Sequence, residues 1–230
     1  MATTNRTRWL VPVALSITFR VSCWVGAAFL ILFAEARAAP SLPDAVLDVV
    51  PYVGVVDRYN YLAWLAAYVP VALALLRVEP GRFCRYMVTS GLLALIRAAC
   101  ILATGLGPVR GPDVNAGMSA DQRWNAFLSL VTPTQFFSTE GASHVYLTKD
   151  LFFSGHTATT LLLLLYVWPF PKLRWWMLAG HLLIVASVFL SHLHYTIDVV
   201  GAYAVTFALF AAREWPVRRL LESPPTTATR

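Results

Sequence analysis

The sequence predicts an all-α protein, a six-transmembrane-helix bundle with N- and C-termini cytoplasmic and its working site at the outer or luminal face. Three observations lead there. Of 230 residues, 58% are hydrophobic and 13% charged, too little polar surface to clothe a water-soluble domain. Hydropathy gathers into six stretches of roughly 18 to 25 residues, each enough to cross a hydrocarbon layer of about 30 Å at 1.5 Å per helical residue. The 18 Lys and Arg residues fall unevenly on the segments between those stretches.

The first span lies near residues 9–33. Arg6 and Arg8 before it and "ARAAP" after it imitate a signal peptide with a small-residue cleavage site. A run of about 25 residues is long for such a peptide, and Arg20 interrupts it, so a retained helix is expected. The following loop contains "APSLPDAVLDVVP", whose prolines prevent one continuous helix. Spans near 59–77 and 84–106 come next. The loop from about 107 to 151 is long, and within it "SADQRWNAFLSLV" spaces Trp124, Phe127, Leu128 and Val131 as an amphipathic surface helix behind a serine start signal. Long ordered loops tend to carry function, so this one is a candidate lid. Spans near 152–170, 175–193 and 195–212 complete a single domain over residues 1–212, followed by a cytoplasmic tail, 213–230, that ends in the polar "ESPPTTATR".

Orientation follows from the basic residues. With the N-terminus inside, Arg6, Arg8, Arg77, Arg82, Arg85, Lys172, Arg174, Arg213, Arg218, Arg219 and Arg230 are cytoplasmic. Only Arg37, Arg58, Arg110, Arg123 and Lys149 then lie outside, with Arg20 and Arg97 inside spans. The net charge of +6 fits basic ends beside anionic lipid heads, and no nucleic-acid partner is expected. Cys23, Cys84 and Cys100 have no metal or redox spacing and read as packing residues.

Two polar clusters open the spans that start at the outer face. In "SHLHYTIDVVGAYA", His194 and Asp198 stand four residues apart, which on a helix lets the carboxylate accept a hydrogen bond from the ring. Such a partner fixes the tautomer and supports an imidazolium. In "LFFSGHTATT", His156 follows Ser154 and Gly155 at a helix start, where free N–H groups favour an anion; Gly155 admits a phosphate close to the backbone, and Ser154 and Thr157 add hydroxyl donors. One histidine could attack phosphorus while the other protonates the leaving oxygen. A structural hydrogen bond explains a lone His–Asp pair equally well, but ionisable groups at membrane depth are costly and seldom idle. A metal held by His192, His194 and Asp198 is not expected, because His192 points roughly 160° away from His194 on a helix. His181 reads as a packed or hydrogen-bonded residue and His144 as a loop residue. Arg97, some nine residues below the outer end of the third span, can either snorkel or hold a phosphate, and Arg20 suits a structural pairing.

"KDLFFSGHT" and "HYTIDVVGAYA" resemble the two signature motifs of the sphingomyelin synthase family, the ceramide phosphotransferase branch of the type-2 phosphatidic acid phosphatase superfamily. The resemblance extends over residues 40 to 212 and includes "SLPD" and "GLLALIRAACILAT". It implies a catalytic triad of His156, His194 and Asp198, with His194 forming a phosphohistidine and His156 acting as acid, then base. Asp150 matches a family aspartate that lines the site, Arg97 the motif arginine, and Tyr195 falls within the second motif beside His194. An acid from the long loop also lines the family site, and Asp121 and Glu140 are the candidates. The implied reaction moves a phospho-head-group, phosphocholine or phosphoethanolamine, from a membrane phospholipid donor to a lipid alcohol acceptor such as ceramide, releases diacylglycerol, and uses no cofactor or metal.

Departures from the family pattern are local. Thr148–Lys149 replaces a Cys-Gly pair, Ala94 replaces a tyrosine, and these 230 residues contain no counterpart of the N-terminal cytoplasmic domain. The phosphatases of the wider superfamily carry an arginine where this chain has Val188, which disfavours a simple lipid phosphate phosphatase. A lipid-binding membrane protein that keeps the cluster as a structural feature is the non-enzymatic alternative.

Overall fold

A computed structural model describes residues 3–132 and 147–222, with side chains from Arg8 to Trp215 outside the intervening segment. Its elements are α1 (Thr3–Glu35), α2 (Gly54–Val78), α3 (Pro80–Ala103), α4 (Ala120–Val131), α5 (Gly155–Val167), α6 (Pro171–Leu190) and α7 (Thr196–Glu222), with no strand among the described residues. Five of them, α1, α2, α3, α6 and α7, are long and apolar enough to cross a membrane, so the chain is an integral, multi-pass membrane protein. The expected surface helix is α4, and Ser119 and Gln122 close a reciprocal capping box at its start.

The span expected at 152–170 is shorter than its hydropathy suggested. Helix α5 has 13 residues, about 20 Å at 1.5 Å per residue. Phe152 and Ser154 are drawn out of the helix because their amides donate to Asp198 of α7, and Ser154 becomes the N-cap. At the other end Pro171 starts α6, since proline tolerates the first turn of a helix where its missing N–H leaves no partner unsatisfied.

Helix α5 is central. It packs against α2, α3, α6 and α7, while α1 lies along α3 and carries α4. This position accounts for its apolar circumference: Leu162, Leu163, Tyr166 and Val167 are fully buried, against Leu75 of α2, Tyr86 of α3, Met177 of α6 and Ala202 of α7. Between helices, where lipid provides no hydrophobic drive for association, polar bonds lock the contacts. Glu214 accepts from Tyr166 Oη (2.8 Å) and Arg85 (3.3 Å), and Thr89 joins Tyr166 (2.8 Å) to Arg213 (2.9 Å). Asn60 and Ser187 (3.0 Å) likewise hold α2 to α6. Exposed Trp168, Trp175, Trp176 and Trp215 ring this end of the bundle near Lys172, Arg174 and Arg213, as interfacial aromatics do.

At the opposite end, Glu35 is fully buried and holds the segment that arrives before α5. Its carboxylate accepts from Asn115 Nδ2 (2.8 Å), Thr148 N (3.1 Å), Thr148 Oγ1 (3.2 Å) and Lys149 N (2.5 Å), while Lys149 Nζ pairs with Asp113. Glu35→Gln would turn an amide NH₂ towards one of these donors. It is expected to destabilise the protein by about 1–3 kcal/mol, read as a lower unfolding temperature in detergent.

Candidate active site

The first motif is built around a helix start. Ser154 Oγ accepts from Thr157 N (3.4 Å) and Thr157 Oγ1 (3.1 Å), and both residues are fully buried, so these two hydroxyls bind each other. The first-turn amides of Gly155 and His156 lie outside the helical ladder and keep the anion-attracting character of a helix N-terminus. His156 is partly exposed, and its ring meets the Trp64 ring edge-on at 5.7 Å. Trp64 is fixed in turn by its Nε1, which donates to Thr159 Oγ1 (3.0 Å). One turn later, Thr160 donates to the His156 carbonyl (2.7 Å) and meets His181 Nδ1 (2.8 Å), whose Nε2 reaches Tyr203 Oη (2.7 Å). His181 is therefore a buried hydrogen-bonded residue behind the site.

The second motif departs from the expected helical face. Helix α7 begins only at Thr196, so His194 precedes the helix and Asp198 sits in its first turn. The pair still forms, with Nδ1 to Oδ2 at 3.3 Å. An imidazole donating from Nδ1 carries its lone pair on Nε2. Asp198 Oδ2 also accepts from Tyr195 N (3.0 Å), which is half of a capping box. Its Oδ1 accepts from Phe152 N (3.0 Å), and its carbonyl from Ser154 N (3.0 Å). A single buried aspartate thus fastens both motif segments to each other.

Arg97 of α3 closes the arrangement from the third side. Its Nη1 donates to Asp150 Oδ1 (2.8 Å), its Nη2 to the Asp150 carbonyl (2.8 Å) and its Nε to the Phe153 carbonyl (2.5 Å). A Cβ at position 155 would stand 3.3 Å from both Nε and Cζ of this guanidinium, so Gly155 lets the cation lie against the start of α5. Burial works to raise the Asp150 carboxyl, but the Arg97 charge and hydrogen bond, with His194 and His156 adding to them, hold it below the usual carboxylate range. Asp150, Arg97, His156 and His194 accordingly share one electrostatic neighbourhood, in which Asp150 is a fixed negative charge at neutral pH.

The loops before α2 and after α3 dock on the second motif. Tyr195 is buried, and its hydroxyl accepts from Leu42 N (3.0 Å) and donates towards the carbonyls of Gly107 (3.2 Å) and Pro108 (3.1 Å). Its hydroxyl is thus occupied by the loops. Beside it, Asp44 accepts from Thr196 N (2.5 Å) and Thr196 Oγ1 (2.8 Å), capping α7 from more than 150 residues away in sequence. Gly107 is required where the loops touch, since a Cβ there would lie 2.3 Å from the Ala39 carbonyl oxygen. Burial pushes the Asp44 carboxyl up, but the Thr196 bonds and the amides of Leu47 and Val46 outweigh it and hold it below the usual range. A carboxyl depressed in the folded state contributes stability above its unfolded pKa, near 4, and loses it as pH falls through the folded value. Unfolding temperature is therefore expected to drop more steeply on acidification below about pH 4 in the unaltered protein than in Asp44→Asn.

The remaining candidates lie apart from this cluster. His192 Nε2 binds the Val50 carbonyl (2.9 Å) and its ring meets Tyr52 edge-on, so it supports the loop before α2. Asp121 is exposed in the first turn of α4, and Glu140 and His144 fall outside the described residues. Arg20, for which the sequence suggested a structural pairing, donates to Ser90 Oγ (2.7 Å). Sequence reasoning missed Trp64, Glu35, Asp44 and Asp113. Only Asp44 carried a signal, as part of "SLPD"; the partners of Glu35 include residues 113 and 114 positions away, and no local pattern marks them.

Residues 149–215 match the family model described as PAP2 superfamily C-terminal, the part of the chain that holds both motifs. The chain is 27% identical over 220 residues to phosphatidylcholine:ceramide cholinephosphotransferase 1 of Homo sapiens, covering 85% of this chain and 50% of that one. It is 31% identical over 190 residues to the human phosphatidylcholine:ceramide cholinephosphotransferase 2, covering 74% and 49% respectively. The rat form of the first enzyme is 28% identical over 221 residues, again 85% of this chain and 50% of the relative. The chain spans about half the length of the curated relatives it matches. The chain is thus similar to the PAP2 superfamily C-terminal family over the segment holding both motifs, and to phosphatidylcholine:ceramide cholinephosphotransferases over most of its own length.

Proposed function

We propose that this protein is a membrane phosphotransferase that moves a phosphocholine- or phosphoethanolamine-type head group from a glycerophospholipid to ceramide or a similar lipid alcohol. The observation that carries this reading is the bridge at Asp198, which binds His194 on one side and the amides of Phe152 and Ser154, four and two residues before His156, on the other. The names of its relatives describe transfer from phosphatidylcholine to ceramide.

In the proposed cycle His194 Nε2 attacks the donor phosphorus. The bond from phosphorus to the diacylglycerol oxygen breaks, and that oxygen takes a proton from His156. The acceptor hydroxyl then gives its proton back to His156 as its oxygen displaces His194 from phosphorus. Asp198 steadies the charge that forms on His194, and the first-turn amides of α5 with the Arg97 guanidinium, kept in place by Asp150, hold the phosphoryl group. Apolar walls keep water scarce and favour a lipid alcohol as acceptor. The bundle crosses the bilayer six times in this reading, α5 included, within one domain over residues 1–212, with the ends of the chain cytoplasmic and the site at the outer or luminal face.

The test is to supply detergent-solubilised protein with labelled phosphatidylcholine or phosphatidylethanolamine, with and without ceramide or diacylglycerol. Acceptor-dependent formation of a labelled sphingolipid is expected. Release of free phosphocholine without any lipid product would refute the transferase and establish a hydrolase.

A further inference from the structure

A cavity of ≈ 180 Å³ runs between α1, α3 and α5 and reaches the first motif at one end. Arg97, Asp150 and Gly155 line it at one end, so it is continuous with the candidate active site. Its walls are small or apolar, among them Ala28, Ile31, Leu93 and Ala94. Arg20 and Ser90 line it as well. Seven residues of α3 separate Ser90 from Arg97, so this second polar place lies about 10 Å deeper along the helix.

Arg20 is out of keeping with a purely structural role. It lies near the middle of α1, it donates to the neutral Ser90 hydroxyl, and no carboxylate among the described residues lies within ion-pair distance of it. An intramembrane guanidinium of this kind is costly, and such residues line pathways or recognise ligands. An alkyl chain pressed against it would strip its hydration without replacing the lost hydrogen bonds.

We infer that this cavity is the slot for one hydrocarbon chain of the lipid that reacts at the histidines, and that Arg20 with Ser90 forms a polar floor that selects against chains long enough to reach it. The inference rests on the proposed reaction for the identity of the ligand. It adds a specificity-determining residue on α1, outside both motifs, that acts by rejection.

The test uses the full chain in detergent with two photoactivatable lipids, a phosphatidylcholine and a ceramide, each carrying a diazirine partway along one chain. Mass spectrometry of the digested protein is expected to find label on α1 and α3 residues facing the cavity. Whichever lipid labels identifies the slot as the donor's or the acceptor's. Labelling should fall several-fold in Ala28→Phe and in the milder Ala94→Leu, each checked for an unaltered elution profile. Arg20→Leu should raise the ratio of kcat/KM for long-chain over short-chain substrate by about tenfold. Label confined to α2 and α6, labelling by neither lipid, or an unchanged chain-length ratio in Arg20→Leu would overturn the inference. Labelling needs no turnover, so a protein that takes label in the slot yet transfers no head group would refute the reaction alone.

Discussion

His194→Ala is expected to lower head-group transfer by at least about 1,000-fold while leaving the unfolding temperature almost unchanged. Among the described residues the ring makes one hydrogen bond, at 3.3 Å to Asp198, so its removal costs little packing. Asp198→Ala should match that loss of activity and also lower stability, because Phe152 N, Tyr195 N and His194 Nδ1 all lose their acceptor in a site that excludes water. Comparing the two separates chemistry from architecture. Thermal unfolding in detergent together with the transfer assay measures both, and a His194→Ala protein that turns over at the unaltered rate would refute the proposed nucleophile.

The second large effect is expected at Arg97→Lys. Three different guanidinium nitrogens bind Asp150 Oδ1, the Asp150 carbonyl and the Phe153 carbonyl, and a lysine offers a single point charge on a flexible stem. The charge survives, but the forked grip that sets the chain between Asp150 and Ser154 does not. Loss of activity by about 100-fold is expected from a displacement near 1 Å, accompanied by lower stability. The same substitution at Arg20 should leave the grip intact, since its partner is a single hydroxyl oxygen.

Much of the fold was legible because membrane helices announce themselves by composition. The spans placed near 9–33, 59–77, 84–106, 175–193 and 195–212 correspond to α1, α2, α3, α6 and α7. The surface helix α4 was readable because its cap signal and its apolar spacing are both local. What hydropathy cannot register is backbone withdrawn from a helix by a distant partner, as at Phe152 and Ser154, and this is why α5 came out short. The pairing of His194 with Asp198 was likewise visible as a spacing, yet it forms at the head of α7 rather than along its side. Glu35 and Asp44 stayed hidden for a related reason: each serves segments that only the folded chain brings to it.

The brevity of α5 has a consequence for how a lipid reaches the histidines. A rod about 20 Å long within an apolar layer about 30 Å thick, rooted in the tryptophan ring at one face, stops about 10 Å short of the other. Reaction would then happen in a dimple beneath the bilayer rim. A phospholipid would need only to sink its head group sideways while its chains stay in apolar surroundings, and the steep energetic climb of being hauled out into water would never arise.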